Sequence, residues 1–354
     1  MNCTFAPDPT SKQGISARRF SMYGAAVELN GAVDLLAEQI DTLFKSFAIQ
    51  ATDSSVPPLV GTLRRYEQAE VVRRLSSSAV RVATPAHGAS PLMELYQERE
   101  RFWLVDDRWG MAEINLIKGT WRSWILPRPT LDATRCAEMA VLWPLAQVLR
   151  GRGLHLLPAA SVARDGWGVL LLCPFNIDLE LTHLSRGGWS ILGHRWSCVR
   201  EDEGKPTLLH VPGSMKLLDS QRLLPQGRQQ GQVSESTMTG SVSAPEAPQS
   251  ASCEVIATFE PSRRPVAHAK ELSGQMALDA LRRNWPIVEL HRARRHLPVK
   301  LAGTCRCCDV RLSKRSDDLL VLLTSLQNSK RQGPPTPMPS AFRTERDASS
   351  PARY

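Results

Sequence analysis

The chain has 354 residues, room for one large domain or two modest ones with a sizeable core. Hydrophobic residues make up 42% and charged residues 22%, ordinary globular usage that excludes a wholly disordered or fibrous chain. No apolar run approaches the ~18 residues of a membrane span, and the start shows no basic region followed by an apolar stretch. Eight scattered cysteines read as reduced thiols rather than a disulfide framework, so a cytoplasmic location is expected.

Residues 1–20 read as a disordered N-terminus, and residues 21–150 as an α+β region. A short strand is expected near 25–29 and a helix after it. From Phe102 to Leu126 apolar residues alternate around turns at Asp106–Gly110 and Lys118–Thr120, which predicts a three-stranded antiparallel meander over 102–126. Four of the nine tryptophans lie in it, where large rings suit a half-buried sheet. Asp132 is placed to cap a helix over Ala133–Arg150, with Pro144 predicted to kink it and Gly153 to close it.

Beyond 150, Ala159–Val162 and Gly168-Val-Leu-Leu-Leu172 read as strands around an Asp165–Gly166 turn, the second buried on both faces. Leu179–Ser185 suits a helix and Trp189–Leu192 a strand, together a compact βαβ unit. Residues 225–252, rich in Gln, Ser, Gly and Pro, read as a disordered insertion. A strand at 253–259, a helix from Ser273 to about Asn284, a short strand at 310–312 and a last helix capped by Ser316 complete the region 151–328. The tail 329–354, with five prolines, reads as disordered.

The net charge of +9 is uneven: Ser262 to Lys300 holds nine Lys and Arg against three acids, including His291-Arg-Ala-Arg-Arg-His296. Such a cluster attracts phosphate backbones, but no zinc finger, aromatic platform or recognition helix accompanies it. Nucleic-acid binding through 282–296 is therefore kept as an alternative only. Cys305-Arg-Cys-Cys308 lacks the Cys-x-x-Cys pairs that zinc prefers, and no metal is expected. In a strand, Cys305 and Cys307 would share one face and Cys308 the other. Asp106, Asp107 and Glu113 could serve as paired carboxylates, though Asp106-Asp107 stands where a turn wants such residues, and Asp107 could pair with Arg108 or Arg108 stack on tryptophan.

The stretch Leu157-Pro-Ala-Ala-Ser-Val-Ala-Arg-Asp-Gly-Trp-Gly-Val-Leu-Leu-Leu172 resembles the core of HPr-kinase-like proteins. Arg186-Gly-Gly-Trp-Ser-Ile-Leu-Gly193 and Leu208-Leu-His-Val-Pro-Gly-Ser-Met-Lys-Leu217 resemble the elements that follow it there. The resemblance implies an α/β fold, an HPr-kinase-like or PEP-carboxykinase-like P-loop core over about 150–328 preceded by a small antiparallel β-containing region. It implies three chemical parts: a Gly-rich loop ending in Gly-Lys-Ser/Thr that cradles phosphate, acidic residues after the next strand that hold magnesium, and a histidine before the loop. Here the loop reads Cys173-Pro-Phe-Asn-Ile-Asp178 without a glycine, so the degenerate phosphate-loop positions are Asn176, Ile177 and Asp178. His194-Arg195 stands in place of the acidic pair and Pro158 in place of the histidine.

These departures imply a catalytically degenerate protein that acts as a protein-binding or regulatory module with no cofactor and no catalytic residue. His194 and Arg195 are the candidate contacts for an anion or a partner, with the tryptophan-rich meander as a second contact surface. The alternative is an ATP- and magnesium-dependent protein serine kinase with a rearranged loop.

Overall fold

A computed structural model describes residues 18–31, 34–44, 56–65, 79–83, 94–172, 177–202, 204–211, 250–259, 267–284, 297–312 and 317–331. The expectations for residues 1–17, 173–176, 225–249, His291–His296 and 332–354 lie outside them.

The predicted meander is the centre of an eight-stranded sheet. β1 (Arg18–Met22) and β2 (Ala25–Asn30) form a hairpin, and α1 (Asp34–Phe44) follows. β3 (Leu59–Arg65) pairs in parallel with β2 on one side and with β8 (Thr120–Ile125) on the other. β4 (Val80–Ala83), β5 (Glu94–Glu98), β6 (Arg101–Asp106) and β7 (Gly110–Asn115) then extend the antiparallel run, giving the order β1-β2-β3-β8-β7-β6-β5-β4. Strand β1 begins at Arg18 and Phe20 is 6% exposed, so order starts inside the stretch 1–20 that composition suggested was disordered.

Turn chemistry sets this sheet as expected, with one change of partner. Asp106, not Asp107, takes Arg108: its Oδ1 accepts the Arg108 backbone N–H and Nε–H, both at 3.0 Å, and its Oδ2 accepts Nη2–H at 2.9 Å. The carboxylate is fully buried, and a bidentate guanidinium is the partner that compensates its desolvation. Gly110 then turns back at φ +136°, where an added Cβ would lie 2.0 Å from the Trp124 carbonyl oxygen. Glu113 pairs with Arg101 across the strands at 3.1 Å. All three carboxylate positions are thus placed in turn and strand structure. Trp103, Trp109, Trp121 and Trp124 are each no more than 5% exposed, so the meander offers packing rather than the aromatic contact surface expected of it.

The helical segment after the sheet begins as predicted. Asp132 Oδ1 accepts the Arg135 N–H at 2.9 Å and starts α2 (Ala133–Ala137). A π-turn (Glu138–Leu142) leads into α3 (Trp143–Leu149), and a 3₁₀ turn ends on Gly153 in the left-handed region. Pro144 has no N–H to offer the carbonyl four residues back, that of Ala140. The fully buried Ser123 hydroxyl donates to that oxygen at 2.5 Å, so the proline widens one turn instead of breaking the helix.

The second sheet holds nine strands. β10 (Ala160–Arg164) lies between β11 (Trp167–Leu172) and β12 (Ser190–Gly193), antiparallel to both, so β11 and β12 run parallel. Helix α4 (Asp178–Arg186) connects them, and this is the expected βαβ unit with one strand inserted between its two. β15 (Ser250–Phe259) is parallel to β11. Its other side pairs first with β14 (Thr207–Leu209) and then with β17 (Arg306–Arg311). The sheet therefore splits into two limbs. One continues through β14 to β13 (Ser197–Arg200) and β9 (Leu154–Leu157), the other through β17 to β16 (His268–Leu272). β15 starts at Ser250, inside the segment 225–252 assigned to an insertion, because Ser250–Ser252 find ladder partners in β14.

Helices α5 (Gly274–Asn284) and α6 (Leu297–Thr304) cover one face, and α4 with α7 (Asp318–Arg331) the other. Cys305 and Cys307 join the first core and Cys308 the second, the face alternation expected of a strand. One apolar cluster runs from Phe20 through α3 to Cys307, so a single core spans both sheets. The molecule is a mixed α/β protein, and no helix among the described residues is long and apolar enough to cross a membrane.

Candidate functional site

The C-terminal ends of parallel strands β11 and β12 carry the loop and bend that the sequence singled out. α4 begins there because Ile177, 5% exposed, anchors its first turn in the core with Leu181 and Leu184. Its N-terminus has no side-chain cap, and its first turn holds Asp178 and Glu180. Two carboxylates at this end satisfy the helix dipole from within the chain. A bound phosphate would meet the same partial positive charge, so the two compete for one place.

After β12 the chain bends at His194-Arg195. Gly193 makes the bend possible, since a Cβ there would lie 2.4 Å from the Trp196 carbonyl oxygen and under 3 Å from the hydroxyls of Ser197 and Ser161. Ser197 Oγ–H donates to Ala159 O at 3.0 Å and lies 2.9 Å from Ser161 Oγ. Trp196 sets its ring edge-on to Trp143 at 6.5 Å and fixes the far side of the bend to α3. His194 is held 7% exposed, and Arg195 stays exposed.

Two of the expected site residues are brought together. His194 Nε2 hydrogen-bonds Asp178 Oδ1, joining the position in the loop to the position after the strand. The other ring nitrogen, Nδ1, is buried without a hydrogen-bond partner among the described residues. Arg195 turns the other way and lies 3.6 Å from Glu138, which is 3% exposed and also accepts from Arg135 at 2.8 Å. Ile177 is a core side chain, and Asn176 lies outside the described residues.

Glu138 is the site residue that sequence reading missed. Its signal is a lone carboxylate in the otherwise apolar run Cys136-Ala-Glu-Met-Ala140, where helical spacing alone expects a core position. It now anchors one of the two residues named as anion contacts. His194 and Arg195 both have carboxylate partners inside the chain, and a further anion would have to displace them.

Among the described residues no group of three or more His, Cys, Asp and Glu side chains is placed to hold a metal ion. Burial pushes Cys307 up to about 12 and Cys308 up to about 11. Cys305 is shifted down, first because the Cys253 thiol hydrogen-bonds its sulfur; when protonated, its own S–H donates to Cys253 O at 3.0 Å.

The class defined by these features is a mixed α/β protein with a split, partly parallel sheet whose strand ends carry an internally paired His and Asp. No family model matches the chain, and no curated protein matches it. Among solved structures it is similar to the Hpr(Ser) kinase/phosphatase from Coxiella burnetii, at 10% identity and a TM-score of 0.26, over 51% of this chain and 99% of that one.

Proposed function

We propose that this chain is a catalytically degenerate, HPr-kinase-like binding or regulatory module that acts on a protein partner without ATP or magnesium. The observation that carries the reading is the Asp178–His194 contact at the N-terminus of α4. Phosphoryl transfer needs backbone N–H groups around the phosphates, a lysine to neutralise them and a carboxylate free to hold magnesium. Pro174 has no N–H to contribute, and no glycine lets the loop approach a phosphate closely. Asp178 puts negative charge where the phosphate would sit and is engaged by His194. The expected partner contact is the surface bracketing this pair, where Leu179 beside Asp178 is 58% exposed and Arg195 beside His194 is also exposed.

The test is thermal unfolding with and without MgATP, run beside transfer of the γ-phosphoryl group to protein serine. A ligand at 100 times its dissociation constant stabilises by about 2.7 kcal/mol, which is readily measured. The expected result is no magnesium-dependent stabilisation and no transfer. Magnesium-dependent stabilisation that disappears in Asp178→Asn, together with phosphoserine formation, would restore the kinase reading.

A further inference from the structure

A second site lies on the same sheet but on the face covered by α5 rather than α4: it begins at β15, where Thr258 pairs with Leu172 at the end of β11, and extends across β17 to β16. Lys270 of β16 pairs directly with Asp309 of β17, and Asp309 with Thr258 of β15, so the three form one rung and share a face. Arg311, two residues past Asp309, joins them on that face. Helix α5 crosses above and turns Met276, Asp279, Ala280 and Arg283 toward the rung, the spacing of one helical stripe, with Arg282 beside it. Between helix and rung is a cleft of about 640 Å³, within the usual range for a small-molecule site.

The same face of the sheet is apolar further back, where Cys253, Ile256 and Cys307 pack with Ala277 and Leu281. It becomes charged only toward the C-terminal ends of β15 and β17, the end at which open α/β sheets bind ligands. Lys270, Arg282, Arg283 and Arg311 surround the cleft against Asp279 and Asp309. Arg311 faces Asp309 at 3.7 Å, and Asp279 accepts from Gln275 at 2.6 Å. Lys270, Arg282 and Arg283 make no ion pair with any described residue and remain available.

We propose that this cleft binds a small phosphomonoester that also carries hydroxyl groups. The three available cations suit a dianionic phosphate, which arginine engages through its planar fork. The two carboxylates would repel a second phosphate but accept hydroxyl protons, which selects a sugar phosphate or nucleoside monophosphate over a polyphosphate. They also disfavour a continuous nucleic-acid backbone, although Arg282 and Arg283 open the basic segment 282–296. The proposal does not depend on the Asp178–His194 reading.

The test is calorimetric titration of the full chain with glucose 6-phosphate, AMP and inorganic phosphate, with glucose and adenosine as dephosphorylated controls at constant ionic strength. Saturable binding of at least one phosphomonoester, without binding of its control, is expected. Lys270→Ala and Arg283→Ala should each weaken it about tenfold or more, whereas Lys118→Ala, which removes one charge from an exposed turn, should not. Asp178→Asn should leave it unchanged, which separates this site from the strand-end pair. Urea midpoints of all variants check that they fold. The proposal is overturned if neither phosphomonoester binds at millimolar concentration or if Lys118→Ala weakens binding equally. It is also overturned if only DNA is retained, through Arg282 and Arg283 and with steep salt dependence.

Discussion

The Asp178–His194 contact has a measurable energetic signature. Asp178→Ala leaves the ring of His194, 7% exposed, with its Nε2 deprived of the carboxylate and its Nδ1 still buried without a described partner. His194→Ala removes the ring but leaves the Asp178 side chain, 29% exposed, in contact with water at the helix N-terminus. A hydrogen bond involving a charged group contributes about 1.5–3 kcal/mol, and the exposure of Asp178 places this one near the lower end. In a double-mutant cycle the double variant should therefore be less destabilised than the sum of the single variants by about 1.5–2 kcal/mol. Urea unfolding of the four proteins, followed by tryptophan fluorescence at equal m-values, gives the coupling directly. Asp178→Asn, which keeps a carbonyl oxygen and removes the charge, should recover part of it. Additivity within about 0.5 kcal/mol would refute the argument that the two positions act as one unit.

Three further outcomes follow from local geometry. Gly110→Ala should cost more than about 3 kcal/mol in urea unfolding, since left-handed strain adds to a backbone clash that no rotamer relieves; a loss below about 1 kcal/mol would mean that the β7–β8 pairing shifts easily. The hydrogen bond donated by Thr207, ahead of Arg200, holds the Asp202 carboxyl below its usual range, so its contribution is present above the unfolded carboxylate pKa and lost as pH falls through the folded one. Thr207→Val should therefore raise the acid-unfolding midpoint, and an unchanged midpoint would remove that linkage. Under native conditions at mildly alkaline pH, iodoacetamide should modify Cys305 before Cys136, Cys198, Cys307 and Cys308, whose thiols burial shifts up, as read by peptide mass spectrometry. Equal rates across these five would show that access alone governs reactivity.

What the sequence made legible is what neighbouring residues encode together. Asp132 announces its helix, Pro144 its distortion, and Gly168-Val-Leu-Leu-Leu172 a strand with no solvent face, because each signal is complete within a few positions. The insertion of β3 between β2 and β8 has no such signal. Leu59–Arg65 meets Thr120–Ile125 across more than fifty residues, and nothing in either segment names the other. The two limbs that share β15 are hidden for the same reason, their strands being as short as Thr207–Leu209.

The two sites show where that boundary falls for function. Asp178 and His194 were both singled out, and they meet because a parallel crossover returns the end of β12 to the end from which α4 departs. Proximity was implicit in the βαβ pattern, though the sign of the contact was not: a histidine expected to face an outside anion faces an aspartate of its own chain. Lys270, Asp309 and Thr258 carry no motif and become a rung only through the register of three strands drawn from distant segments. A charge cluster contiguous in sequence drew attention to 282–296. Among the described residues the cleft draws Arg282 and Arg283 from that segment, and its other cations, Lys270 and Arg311, come from strands outside it. Spatial charge density, rather than density along the chain, sets the field that an anion meets, and among the described residues the two coincide at Arg282 and Arg283.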